Sequence, residues 1–155
     1  MDLSLFLRNE AKRKKFKQGN FTENFSLKIN ESIPKITFGV VYGFVVKLTS
    51  KEKENLFNEA VKLKGNKQIE ISNIKPIKED YYPLYWGKSS DVFGRITAHI
   101  NGHGGGNSNL RLKQYSTLST KKLYYSRLYV ENSAGFEEYL IKEYPPILKT
   151  KKEII

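Results

Sequence analysis

Tyr82-Pro83-Leu84-Tyr85-Trp86-Gly87-Lys88-Ser89-Ser90-Asp91-Val92-Phe93-Gly94-Arg95-Ile96-Thr97-Ala98-His99 is the stretch that decides how this chain reads. Its first part, ending at Trp86-Gly87, is aromatic-rich and reads as a strand. A polar turn, Lys88 to Asp91, follows. Val92 to Asn101 then reads as an amphipathic helix, with Ile96 and Ile100 on its apolar side. Residues four apart share a helix face, so Arg95 and His99 project together. The preceding strand brings Tyr85 to the same end. A guanidinium, a phenol and an imidazole suit work on a phosphate: the first binds the anion, and the other two move protons. Singly, each residue has an ordinary structural reading: a sheet tyrosine, a surface arginine, a satisfied histidine. The inference rests on their combination.

Upstream, Ile36 to Leu48 is rich in β-branched and aromatic residues and reads as a strand containing Tyr42. Thr49-Ser50 caps a helix expected over 51–64, with Leu56, Phe57, Ala60, Val61 and Leu63 as its apolar stripe and Gly65-Asn66 as its stop. Gln68 to Ile77 is strand-like. Downstream, the glycine-rich run 102–109 is a loop. It lacks the Gly-Lys-Ser/Thr ending of a phosphate-cradling P-loop. Lys122 to Glu131 reads as a third strand, and Phe136 to Tyr144 as a final helix closed by Pro145-Pro146. At the start, residues 2–18 read as a basic helix ended by Gly19-Asn20. It is either an arm along phosphates or a solvated helix.

The expected fold is therefore α+β: one domain with a small, mainly antiparallel sheet flanked by helices. The expected divisions are a basic helical arm over 1–35, a core over 36–150 with an insertion at 49–80, and a basic tail over 151–155. The chain of 155 residues suits one core. No cysteine is present, which excludes disulfides and thiolate metal sites and fits a cytoplasmic protein. No apolar run is long enough to span a membrane. Lys and Arg total 27 against 16 acidic residues, a net charge of +11, which favours a polyanionic partner.

Tyr85-Trp86-Gly87 resembles the second signature of the GIY-YIG nuclease family. In that family an arginine follows the second tyrosine by ten residues, and many members add a histidine four later; Arg95 and His99 sit at those spacings. The family's metal-binding glutamate opens a late helix closed by a proline, as Glu137 does before Pro145. The first signature, Gly-Ile/Val-Tyr, corresponds to Gly39-Val40-Val41-Tyr42 with one extra residue, which a β-bulge would absorb. The alternative alignment, Gly43-Phe44-Val45, contains no tyrosine. The family's late asparagine corresponds to Lys149, which cannot take its role.

The resemblance implies Mg²⁺- or Mn²⁺-dependent hydrolysis of DNA phosphodiester bonds, of restriction or mobile-element type. Tyr42, Tyr85, Arg95, His99 and Glu137 would be catalytic, with Glu137 holding the metal. Lys12, Arg13, Lys14, Lys15, Lys88, Arg111 and Lys149 would meet the nucleic acid. Cutting both strands would take a homodimer or sequential nicking. A binding module that keeps the fold without catalysis, and an RNA-directed nuclease, are the alternatives.

Overall fold

The computed structural model describes residues 1–29, 41–63, 70–88, 100 and 111–148, with residues 20–25 by their backbone alone. In chain order they form α1 (Leu3–Arg13), β1 (Gln18–Leu27), β2 (Val41–Lys47), α2 (Ser50–Lys62), β3 (Tyr81–Lys88), β4 (Leu123–Val130) and α3 (Ser133–Glu143). The strands make one four-stranded antiparallel sheet in the order β1-β4-β2-β3. This is the α+β architecture expected from the sequence.

The central strands β2 and β4 are covered on both faces, so their sequences are apolar almost throughout. One face presents Val41, Val45, Trp86, Leu128 and Val130 to α1 and α3. The other presents Tyr42, Phe44, Leu84, Tyr85 and Tyr125 to Leu56 and Ala60 of α2, to the 112–118 segment, and to Ile147 and Leu148. Trp86 anchors the first face. A fully buried indole removes roughly 150–250 Å² from water, on the order of 4–6 kcal/mol. Its Nε1–H donates to the Tyr144 carbonyl at 2.8 Å, so the polar atom is not wasted. After α3 the chain rounds the β3 edge. There the amides of Ile147 and Leu148 donate to the carbonyls of Pro83 and Leu84, both at 3.0 Å.

The start of the chain departs from expectation. Over the described residues 1–29, the expected arm does not stand off the core. Leu3, Leu7 and Ala11 of α1 are fully buried against the sheet, and Gln18–Leu27 is its edge strand, paired with β4. A cluster ties α1 to α3. The Glu10 carboxylate accepts from Arg13 at 2.9 Å, from the Tyr139 hydroxyl at 2.6 Å and from the Tyr144 hydroxyl at 2.5 Å. Burial alone would push the Glu10 carboxyl up. The three donors outweigh it and hold the group below its ordinary value.

Helix α2 begins as expected, with a complete capping box between Thr49 and Glu52. It buries only Leu56 and Ala60, with Phe57 packed at the margin, and leaves Val61 and Leu63 exposed. Residues 70–77 are not a strand: Ile71–Asn73 is a single 3-10 turn, and Ile74 plugs into the core. Pro76 lacks the amide a ladder needs. The expected helix over 92–101 and the 102–109 loop lie outside the described residues, apart from Ile100, which is helical and buried in the same core as Tyr42.

Candidate active site

The register of the sheet assembles the tyrosines. Tyr42 on β2 stands opposite Gly87 on β3, and Phe44 opposite Tyr85. Directly opposed residues share a sheet face, so Tyr42, Tyr85 and Gly87 share one. The Tyr42 and Tyr85 rings lie 6.1 Å apart, centroid to centroid, and Tyr125 lies 6.1 Å from Tyr42 on the β4 side. Tyr42 and Tyr85 retain 1% and 3% of their surface, which excludes stacking on a base.

Gly87 is required by space. A Cβ there would lie 2.6 Å from Tyr42 Cζ, 2.7 Å from its hydroxyl and 2.8 Å from Tyr85 Cε2. The Tyr42 phenol therefore reaches across Gly87. One strand step away, on the opposite face, Gly43 makes room for Trp86 in the same manner, with 2.3 Å between its virtual Cβ and the indole Cζ3. The sequence Tyr85-Trp86-Gly87 thus serves both faces of the sheet.

A bulge is present in the signature strands, at a place the sequence did not suggest. Pairing passes from Phe44–Tyr85 to Val45–Pro83, so Leu84 is the extra residue and both Leu84 and Tyr85 enter the core around Tyr42. The bulge expected between Gly39 and Tyr42 falls on residues largely outside those described. So do Arg95, His99 and Lys149. Among the five expected catalytic residues, the structure brings Tyr42 and Tyr85 together.

Glu137 is half-buried on α3, just after Phe136, and α3 packs on the Trp86 face of the sheet. Asn132 caps this helix by accepting from the Gly135 amide at 3.0 Å. The helix follows directly from β4 but packs on the face of the sheet opposite the one that holds Tyr42 and Tyr85, so the structure does not bring Glu137 onto their face. Among the described residues no three acidic or histidine side chains cluster as a preformed metal cage. A lone carboxylate fits a hard cation only as an open site, completed by phosphate oxygens and water.

The basic residues divide into two groups. Lys12, Lys15, Lys88 and Arg111 are exposed. Arg13 is engaged by Glu10 and the Tyr139 hydroxyl, and Lys14 lies over the Tyr139 ring at 5.5 Å. A pocket of 320 Å³ opens at the other end of the sheet, beside Lys47, Asp80 and Lys122. There Lys121 is paired with Glu52 at 2.5 Å, and the start of α2 is closed by its own capping box.

Sequence reasoning missed Arg127. It is 1% exposed, on the central strand β4, and stands opposite Tyr42. The signal was available: Ser126 and Arg127 are adjacent in an otherwise apolar strand, and neighbours in a strand point to opposite faces. One polar side chain was therefore bound to enter each covered face.

Compared with family models, with curated proteins and with solved structures, the chain matches none.

Proposed function

We propose that this protein is a metal-dependent endonuclease of the GIY-YIG type that hydrolyses DNA phosphodiester bonds. One observation carries the reading: β2 and β3 pair so that Tyr42 and Tyr85 meet on one face with Gly87 beneath the Tyr42 phenol. This is the arrangement that two tyrosine signatures on neighbouring strands require. It favours Tyr42, rather than the tyrosine-free alignment through Gly43, as the first-signature residue.

In the proposed mechanism Tyr42 orients the attacking water and accepts its proton. Tyr85 and His99 hydrogen-bond the phosphate. Arg95 neutralises charge building on the phosphoryl oxygens. Glu137 is the side chain that would hold a divalent cation such as Mg²⁺ or Mn²⁺. When bound, the cation supplies Lewis-acid polarisation of the phosphoryl group and stabilises the departing oxygen. Exposed Lys12, Lys15, Lys88 and Arg111 provide phosphate contacts, and the +11 charge gives long-range attraction. No described helix is long and apolar enough to cross a membrane. The lack of cysteine suits the reducing cytoplasm.

A second reading is a binding module without catalysis. The near-complete burial of Tyr42 and Tyr85 favours it, because such rings serve a core equally well. Incubation of the purified protein with supercoiled plasmid and with RNA, with Mg²⁺ or with EDTA, separates the two. Mg²⁺-dependent nicking of the plasmid supports the nuclease. Retention of nucleic acid without cleavage selects the binding module.

A further inference from the structure

We propose that Lys15 occupies a left-handed backbone position, against the stability of the fold, because its ammonium binds a backbone phosphate of DNA at the end of the sheet beside α3; this rests on the nucleic-acid partner of the reading above. Helix α1 ends in a motif that ordinarily takes glycine. The Phe16 amide donates to the Ala11 carbonyl at 2.8 Å, and the Lys15 amide to the Lys12 carbonyl at 3.1 Å. These are the bonds of a Schellman cap, which needs a left-handed residue between Lys14 and Phe16. Lys15 supplies it, with φ 62°. Glycine adopts that conformation freely, whereas a residue with a Cβ crowds the following carbonyl and loses stability. Phe16 fixes the cap. Its ring packs on Phe136 at 5.2 Å and on Tyr139 at 6.3 Å between centroids, in the cluster that buries Leu7 and Ala11. The backbone at Lys15 cannot relax without moving that ring.

The lysine side chain does nothing for the core. Lys15 is exposed, and among the described residues its ammonium has no ion-pair partner. Its basic neighbours are committed: Arg13 to Glu10, Lys14 to the Tyr139 ring, Lys17 to Glu131. A cation is favourable at a helix C-terminus, but Lys12 and Arg13 already fill the last turn of α1. A strained residue kept where glycine would serve points to a use for its side chain.

Its place in the fold supplies that use. The Glu131 amide donates to the Lys17 carbonyl at 3.0 Å, and Gln18 pairs with Val130. Lys15 therefore stands where β1 begins and β4 ends, which is the end of the sheet where Tyr42 opposes Gly87. The contact of Phe16 with Phe136 sets it beside the start of α3, the helix that carries Glu137. Lys88, also exposed, closes β3 at the same end. A phosphate backbone laid along this end of the sheet meets both lysines.

The test measures Tm and the binding of duplex DNA, in EDTA so that no cleavage is read, for wild type, Lys15→Gly, Lys15→Gln and Lys15→Arg. Lys15→Gly and Lys15→Gln both lose the charge, but only the first relieves the backbone. Lys15→Gly is expected to melt about 2–4 °C above Lys15→Gln. Both should reduce the salt slope of binding by about one, the share of a single phosphate. Lys15→Arg should keep the wild-type slope and Tm. A Lys15→Gly protein that melts with Lys15→Gln overturns the proposal, and so does a wild-type slope in Lys15→Gln. A protein that binds DNA through Lys15 yet never nicks plasmid removes the nuclease reading and leaves the phosphate contact standing; one that binds no DNA at all overturns the contact.

Discussion

Replacing Gly87 with alanine tests the geometry on which the site depends. The added methyl would sit 2.6–2.8 Å from atoms of two rings, Tyr42 and Tyr85. Ordinary carbon contacts are about 3.5–4.0 Å, so both rings must retreat by roughly an ångström. They have nowhere to go: Tyr42 is packed against Phe44 at 6.2 Å and Tyr125 at 6.1 Å between centroids. Overpacking of this kind costs about 1–3 kcal/mol. Alanine recovers part of that, about 0.5–1 kcal/mol, because glycine is the poorer strand residue. The net expectation is a loss of about 1–2 kcal/mol, which for a chain of this size lowers Tm by about 2–8 °C. Thermal melts followed by circular dichroism, with urea titrations alongside, read the effect. In a Tyr42→Leu background the penalty should shrink by about 1 kcal/mol without vanishing, because Tyr85 Cε2 still obstructs the methyl. A Gly87→Ala protein that melts with the wild type would refute the argument: the Tyr42 phenol would not cross Gly87, and the pairing that builds the site would be wrong.

Three further outcomes are expected. Glu10→Gln should lower stability at neutral pH by about 1–3 kcal/mol, since a buried carboxylate with three donors is lost. The folded-state value of Glu10 is depressed below 4.5, so its contribution is present above that pH and disappears as pH falls through the lower folded value; melts of the two proteins should converge there. Lys12→Ala with Lys15→Ala should leave Tm unchanged, as both are exposed, yet reduce the salt slope of DNA binding by about two if both touch phosphates; an unchanged slope makes them solvated charges. Arg95→Ala should cost about 3–4 kcal/mol of transition-state stabilisation, by comparison with a lost oxyanion donor, and single-turnover cleavage rates measure it.

Much of the fold was legible where local signals were strong. The β-branched and aromatic runs became β2, β3 and β4, and the Thr49 cap and Glu52 marked α2. The edge strand β1 was not legible. Gln18–Leu27 is polar, and its Gly19 reads as a helix stop; in the fold Gly19 makes room for the Tyr129 ring, with 2.4 Å between its virtual Cβ and Tyr129 Cδ1. The basic run after Leu7 suggested an arm, because charge patterning does not reveal that Leu3, Leu7 and Ala11 share a buried stripe. The alternation Ile69-Glu70-Ile71 suggested a strand, but in the described part of that region Ile74 plugs into the core and Ile77 packs at the margin of the other cluster. Of the candidate site, the sequence marked Tyr42, Tyr85 and Gly87, while the burial of Arg127 beside them depends on tertiary packing. The register that opposes Tyr42 to both Gly87 and Arg127 needs three strands in place and is not written in any one of them.

Metal-dependent cleavage through Glu137 is tested by comparing wild type with Glu137→Ala on the same plasmid. Nicking with Mg²⁺ and affinity by gel shift without it are read side by side. Wild type is expected to nick with Mg²⁺ and not with EDTA, and Glu137→Ala to lose nicking while binding DNA as well or better, because one negative charge has left the site. Equal nicking by both proteins would contradict the assignment of Glu137, and a wild type that binds DNA without ever cutting it would contradict the nuclease itself.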